Sequence, residues 1–255
     1  MTPGQQPVRV DEGTRCHDCA CVFERIGAHW SRSDCVWPTI PDRVWAICRG
    51  LVLGDGTVKV GGTTPSLEAY STRRPFINWL DRTLAWLSTG PFEHRSAQRS
   101  FEQASSADHD VTVGSYATIW GVRTRVHTAF DALAAWYATS EQRRQLAPPR
   151  ELELGPWTCA VWYAGDGSLH YDARYPDSAP YVTIGVDAIL EHRSPRTVTQ
   201  WFDGTPVTPT VDVSDGVIRF DVASTRTLLE WLPVCPGYEY KWELESYEAY
   251  QSARP

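Results

Sequence analysis

No stretch of the 255 residues approaches the roughly 18–20 consecutive apolar residues that a membrane-spanning helix needs, which removes the helical transmembrane class. The N-terminus, Met-Thr-Pro-Gly-Gln-Gln-Pro, lacks the basic-then-apolar layout of a signal peptide, so a cytoplasmic location is expected. There is no surplus of positive charge: 24 Lys and Arg stand against 31 Asp and Glu, a net −7. That balance argues against a nucleic-acid partner without excluding one, since a basic sheet face can coexist with acidic helices behind it. Seven Cys with no export signal point to reduced thiols or metal ligands, not disulfides. What is present, 42% hydrophobic and 22% charged residues, describes an ordinary globular chain long enough for two modest units or one larger domain. Of twelve Trp, those at apolar-periodic positions (Trp45, Trp79, Trp86, Trp136, Trp162) are expected in the core.

One short pattern occurs twice. Residues 44–58 and 159–169 are each an apolar stretch of helical length closing on Gly-Asp-Gly, with Asp55 and Asp166 at the C-terminal end. Two small residues four apart precede each acid, Gly50 and Gly54 in the first copy, Ala160 and Ala164 in the second. Residues at that spacing share one helix face. Two such helices packed small face to small face would bring both carboxylates to one end, a set suited to divalent metal and phosphodiester chemistry.

Both copies resemble the LAGLIDADG motif of homing endonucleases, and the resemblance extends over roughly residues 40–250. Strand-like Ser-Leu-Glu-Ala-Tyr-Ser (66–71), a helix pattern over 74–87, a strand with basic alternation over 119–126 and a helix-like 130–137 follow the first copy. That order resembles the family's αββαββα unit, whose four-stranded sheets form a saddle over DNA. The resemblance implies an α+β fold of two pseudo-symmetric units packed through the motif helices. It implies a monomer that cuts an asymmetric double-stranded DNA site. It further implies that Asp55 and Asp166, with the carbonyls of Gly54 and Gly165, hold Mg²⁺. The Tyr-Lys of 240–241 looks like the place of the family's active-site lysine, so Lys241 would orient the attacking water or neutralise phosphate charge. Arg125 is the expected counterpart in the first unit, where arginine can hold phosphate but accepts protons poorly. DNA contacts are expected from Lys59, Arg73, Arg74, Arg123, Arg174, Arg193 and Arg219, with Tyr70 and Tyr175 as neutral partners.

Four Cys fall within residues 16–35. Cys16 and Cys19 form a Cys-x2-Cys knuckle, and His29 and Cys35 complete a Cys3His set that suits tetrahedral zinc. Cys21 and His17 compete for a place; Cys21, two residues past Cys19, would point away if a strand continues there. Phe23 and Trp30 would supply the apolar plug that so short a module needs. The segment resembles zinc fingers fused to phage and microbial endonucleases. Its Arg15, Arg25 and Arg32 would permit phosphate contacts, which position a protein without choosing a sequence.

The expected divisions are an irregular 1–15, a zinc finger at 16–40 and two units at 41–147 and 148–255. Within them, 88–115 reads as a hairpin with a long tip, 145–149 as a linker, 203–209 as a turn-rich loop and 217–222 as a strand. Neither end resembles an intein, so a free-standing endonuclease is expected. Two rivals stand beside it. One is an intron-RNA maturase, or a DNA binder of the same family that has lost cleavage. The other is a carbohydrate-active enzyme, suggested by paired carboxylates, Trp content and acidic charge.

Overall fold

In the computed structural model, residues 6–30, 32–61, 64–96, 98–99, 117–139, 144–171 and 179–254 are described. They fall into two compact units: Met1–Trp45 with Gly56–Ala134, and Ala46–Asp55 with Ala135–Pro255. This grouping differs from the expected boundaries, because most of the first motif helix belongs with the second unit. Among the described residues, no helix is long and apolar enough to cross a membrane.

The first unit opens with a small antiparallel sheet of β1 (Val8–Val10), β2 (Gly13–Arg15) and β3 (Val22–Phe23). Residues 8–15 are therefore a hairpin and not the irregular tail expected. Strands of three residues are too short to show a period in the sequence. A helix over Ile26–Trp30 follows. The first motif helix, Asp42–Leu53, starts after Pro41, whose carbonyl accepts from Trp45 N–H, and carries Asp42 in its first turn, where negative charge suits the helix dipole. Next come β4 (Gly56–Lys59), β5 (Ser66–Ser71), the helix Arg74–Leu84, β6 (Ser88–Arg95), β7 (Ile119–Thr124) and a single turn of helix, Asp131–Ala134. The helix Arg74–Leu84 begins with Pro75 in its first turn and buries Phe76, Ile77, Leu80 and Leu84, a one-sided stripe laid against β5, β6 and β7.

The second unit begins with a hairpin of β8 (Tyr137–Thr139) and β9 (Arg144–Leu146). The second motif helix, Pro156–Asp166, is preceded by Gly155 and started by Pro156. It is followed by β10 (Gly167–His170), β11 (Tyr181–Gly185), short helices Asp187–Leu190 and Pro195–Gln200, β12 (Thr210–Asp212), β13 (Val217–Phe220) and the helix Val222–Trp231. A 3-10 turn, Glu239–Trp242, and a helix, Tyr247–Ala253, come after it.

The two four-stranded sheets share one antiparallel order, β4-β5-β7-β6 and β10-β11-β13-β12. The α+β class and the αββαββα element order therefore hold, with the second unit splitting its middle helix in two. In each sheet alternate residues turn inward, Val58, Leu67, Ala69 and Val122 in one, Leu169, Val182, Ile184, Ile218 and Phe220 in the other. Trp162, Trp86 and Trp136 are buried as expected, whereas Trp45 and Trp79 are half-buried.

Three local expectations are corrected. The helix expected over 130–137 ends at Ala134, because Tyr137 and Ala138 pair with Leu146 and Gln145. The same pairing draws residues 145 and 146 of the expected linker into β9. The strand expected over 217–222 stops at Phe220, because the Asp221 carboxylate accepts from Ser224 N–H at 2.7 Å and starts a helix. Beyond β6, the expected tip of the 88–115 hairpin lies mostly outside the described residues.

Candidate functional site

The two motif helices touch within the second unit. A Cβ added at Gly50 would lie 2.5 Å from the Thr158 carbonyl oxygen and 2.9 Å from Val161 Cβ, so only glycine lets the backbones come this close. Thr158 Oγ1 donates to the Ala46 carbonyl at 3.0 Å across the same contact. One turn on, a Cβ at Gly54 would lie 3.6 Å from the Trp162 carbonyl oxygen, and one at Gly165 would lie 3.3 Å from both the amide nitrogen and Oδ2 of Asp55. Contrary to the expectation, the glycines do not face Ala160 and Ala164. They face Thr158, Val161 and Trp162, while the Ala160 and Ala164 carbonyls accept from Cys235 Sγ and Lys241 Nζ. A glycine supplies its own clearance, so the facing residue need not be small.

This packing brings Asp55 against Gly165, next to Asp166 at the end of its own helix. Both carboxylates are open to solvent, yet protein mass surrounds them. Desolvation raises the Asp55 carboxyl above its ordinary value, with nearby Lys241 opposing. Asp166 is pushed up to about 7, first by desolvation and then by repulsion from Asp55, again with Lys241 opposing. A proton or a cation at this pair relieves the repulsion. Gly167, which leads the second helix straight into β10, runs so close to the Tyr163 ring and carbonyl that no side chain fits there.

Lys241, one of only two lysines in the chain, is buried. Its Nζ donates to the carbonyls of Ala164 and Gly167, each at 2.7 Å, and lies 3.3 and 3.5 Å from those of Tyr163 and Gly165. Tyr163 Oη in turn donates to the Lys241 carbonyl at 2.7 Å. Lys241, expected to orient water, thus caps the C-terminal end of the second motif helix, and its charge opposes the rise of both acids. It also engages the Gly165 carbonyl, one of the expected metal ligands.

The expected basic residues divide by position. In the first sheet Arg123 lies on the open face and pairs with Glu68, which Lys59 approaches at 3.7 Å. Burial opposes the Glu68 charge, but hydrogen bonds from Tyr70 and Arg123, together with both cations, hold its carboxyl below the usual range. Arg125 follows β7 in the first unit and donates from Nε to the Trp86 carbonyl at 3.0 Å. Arg73 and Arg74 sit at the start of the helix Arg74–Leu84, with Arg74 stacked over Trp120 at 4.3 Å, away from the open face. In the second sheet Arg219 is on the open face beside Tyr181, with Asp215 at 3.4 Å and Asp212 at 3.7 Å. Arg193 is consumed by structure: its guanidinium donates to the carbonyls of Pro148, His192 and Ala147. Arg174 and Tyr175 lie outside the described residues.

Sequence reasoning missed Glu68 and His170. Both were findable from alternation, since Glu68 falls two residues before Tyr70 and His170 two after Ser168 on their strands. His170 hydrogen-bonds Thr183 at 2.8 Å and stacks on Tyr181.

The Cys16, Cys19, His29 and Cys35 donor atoms all lie within 4.8 Å of one another, a cluster consistent with a zinc-binding site. Ala20, at φ +59°, turns the chain so that its N–H reaches the Cys16 carbonyl, and the Cys16 N–H donates to the Cys21 carbonyl. Cys21 closes this knuckle through its backbone and is not among the clustered donors. His29 presents Nε2 at 3.6 Å from Cys19 Sγ and stacks on Phe23. Burial alone would raise the Cys16 thiol; hydrogen bonds from the Cys19 and Asp18 backbone outweigh it and bring the thiol down to about 6. A thiolate at neutral pH is the form that binds metal.

With this geometry in view, the molecule can be set beside known structures. Over 82% of this chain and 89% of the other, it superimposes with a TM-score of 0.63 on the homing endonuclease I-WcaI, solved bound to its DNA recognition sequence. Sequence identity is 13%. What is shared is the fold. No protein-family model matches this chain, and no curated protein matches it by sequence.

Proposed function

We propose that this protein is a LAGLIDADG-type DNA endonuclease that makes a site-specific double-strand cut by metal-dependent phosphodiester hydrolysis. One observation carries the reading: two solvent-open carboxylates, Asp55 just past one helix and Asp166 at the end of another, belong to helices that touch at a glycine, on a fold shared with a homing endonuclease. An all-oxygen donor set that repels itself fits Mg²⁺, and Asp55, Asp166 and the Gly54 carbonyl would hold it. Bound there, Mg²⁺ would supply an activated water and stabilise the leaving oxygen. Asp55 and Asp166 position that chemistry, and Lys241 fixes the end of the second helix while its charge tempers the repulsion. The open rows of the two sheets would lie along DNA, each unit reading its own half of an asymmetric site. The cysteine cluster would hold a structural zinc.

A DNA-binding protein of the same fold without cleavage is the second reading, favoured by the engagement of the Lys241 ammonium with helix carbonyls. One experiment separates them. The protein and Mg²⁺ are incubated with the encoding genomic locus from which the gene has been removed. A single double-strand cut near the insertion point supports the endonuclease. Stable binding without a cut supports the second reading.

A further inference from the structure

The cysteine module is fixed to the first unit. A Cβ at Gly27 would lie 2.7 Å from Val126 Cγ2, so the helix Ile26–Trp30 lies flat on the chain that leaves β7. Trp30 meets Trp86 edge-on at 5.5 Å and Trp37 at 5.6 Å, and Trp37 meets His127 at 5.1 Å. His127 accepts from the Ala129 N–H at Nδ1, so Nε2 carries the proton and donates to the Pro38 carbonyl at 2.8 Å. This buried aromatic seam links the module, the segment after it and the sheet.

Between the docked helix and the sheet lies an open groove of about 740 Å³. Its walls bring exposed Arg25 of the module together with Lys59 and Arg123 of the sheet and Arg125 just past β7, against two acids, Glu24 and Glu68. Cations outnumber acids four to two there, whereas the whole chain has 24 against 31. Thr64 and Ser66 add hydroxyls. Cations mixed with hydroxyls are the donors that phosphate oxygens take, and a preformed wall saves the ordering cost a tethered finger would meet.

We infer that this groove holds the phosphate backbone of duplex DNA, and that Arg25 is the module's own contact; the inference rests on the DNA-binding reading above. The module thereby lengthens the footprint of the first sheet without adding sequence choice. Full-length, zinc-loaded protein is titrated against a mixed-sequence 30-base-pair duplex by fluorescence anisotropy across a series of salt concentrations. Losing one phosphate contact should make the slope of log K against log salt shallower by about 0.9 and weaken binding about fivefold near ~0.15 M salt. Arg25→Gln should show both changes, Arg25→Lys should restore most of the affinity, and Arg226→Gln, on the outer side of the helix Val222–Trp231, should show neither. Zinc content and melting temperature are read for each variant, so that a folding defect is visible. If Arg25→Gln binds and responds to salt like the parent while Arg219→Gln weakens binding, the groove assignment fails and the DNA reading stands. Arg25-dependent binding of a single-stranded RNA with Arg25-independent binding of the duplex overturns the assignment as well. If the parent binds no duplex at all, the DNA reading itself is lost.

Discussion

The two sheets match strand for strand, and their central rows differ in chemistry. Counting from each motif acid, Thr57, Glu68 and Arg123 stand side by side across β4, β5 and β7. At the same positions of the second sheet stand Ser168, Thr183 and Arg219, across β10, β11 and β13. An arginine stands third in both rows, with Thr210 of β12 beyond it in the second, and each is met by acid: Glu68 from within the row in the first, Asp212 and Asp215 in the second. The next positions pair Lys59 with Ser66, and His170 with Tyr181. A shared backbone thus presents an ionic row in one unit and a largely neutral, hydroxyl- and ring-bearing row in the other. Two such surfaces cannot favour the same donor and acceptor pattern. Shared topology therefore fixes where side chains stand, and the residues of each row fix the chemistry presented there.

The strongest way to break this comparison is at the acids, where the two motif copies match most closely. Asp55→Asn and Asp166→Asn are each expected to lower Mg²⁺-dependent cleavage at least ~100-fold, the scale of removing one strong electrostatic contact to developing charge. DNA binding should stay largely intact, since neither acid is proposed to touch a base. Cleavage rates and anisotropy on the same variants check this. Near-parental activity in both would remove the acid pair from the site.

The repeat located Asp55 and Asp166, and β5 and the start of β7 fell where alternation put them. The partner of Gly50 was not legible, because Thr158 and Val161 have nothing in their identity that says a glycine will face them. Lys241 was found, but its hold on the end of the second motif helix was not foreseen. Whether an ammonium meets water or a helix end depends on where the 3-10 turn Glu239–Trp242 places it, and no local pattern encodes that. The bonds of Arg193 were hidden for a related reason: three backbone carbonyls bring no sequence signal. The Cys3His cluster was legible because four donor residues at fixed intervals report a three-dimensional constraint directly.

Lys241 sharpens the comparison, since its cap belongs to the second motif helix. Lys241→Met keeps the stem and deletes the donors, leaving carbonyls at the helix end unsatisfied. Hydrogen bonds to charged groups are worth about 1.5–3 kcal/mol, so a loss on that scale is expected in urea unfolding. Gly50→Leu, at the helix contact, should cost about 1–3 kcal/mol through overpacking and also reduce cleavage, because shifts near 1 Å at a reacting centre matter. Thr57→Ala, beyond that contact, should be mild in stability. A Gly50→Leu variant with parental melting and parental activity would refute the tight helix pair.

The smallest effect separates the two acids from each other. In the folded chain Asp166 holds its proton up to about 7, against an ordinary value of 3.8. The proton is thus bound more tightly in the native state than in the unfolded one. The stability this contributes is complete below pH 3.8 and drains away as pH rises toward about 7. Asp166→Asn carries no such charge at any pH, so its stability relative to the parent should improve between pH 4 and pH 8 and then level off. Repulsion from Asp55 is the second cause of the shift, after desolvation. Asp55→Asn should therefore lower the Asp166 midpoint without returning it to the ordinary range, a result that carboxyl NMR titration can read. The buffer must be free of Mg²⁺ and of chelator, since a cation would take the proton's place at the acids and a chelator would attack the cysteine cluster. An Asp166 midpoint that does not move in Asp55→Asn would mean that the two carboxylates do not feel each other, and the meeting of the two helix ends would lose its electrostatic signature.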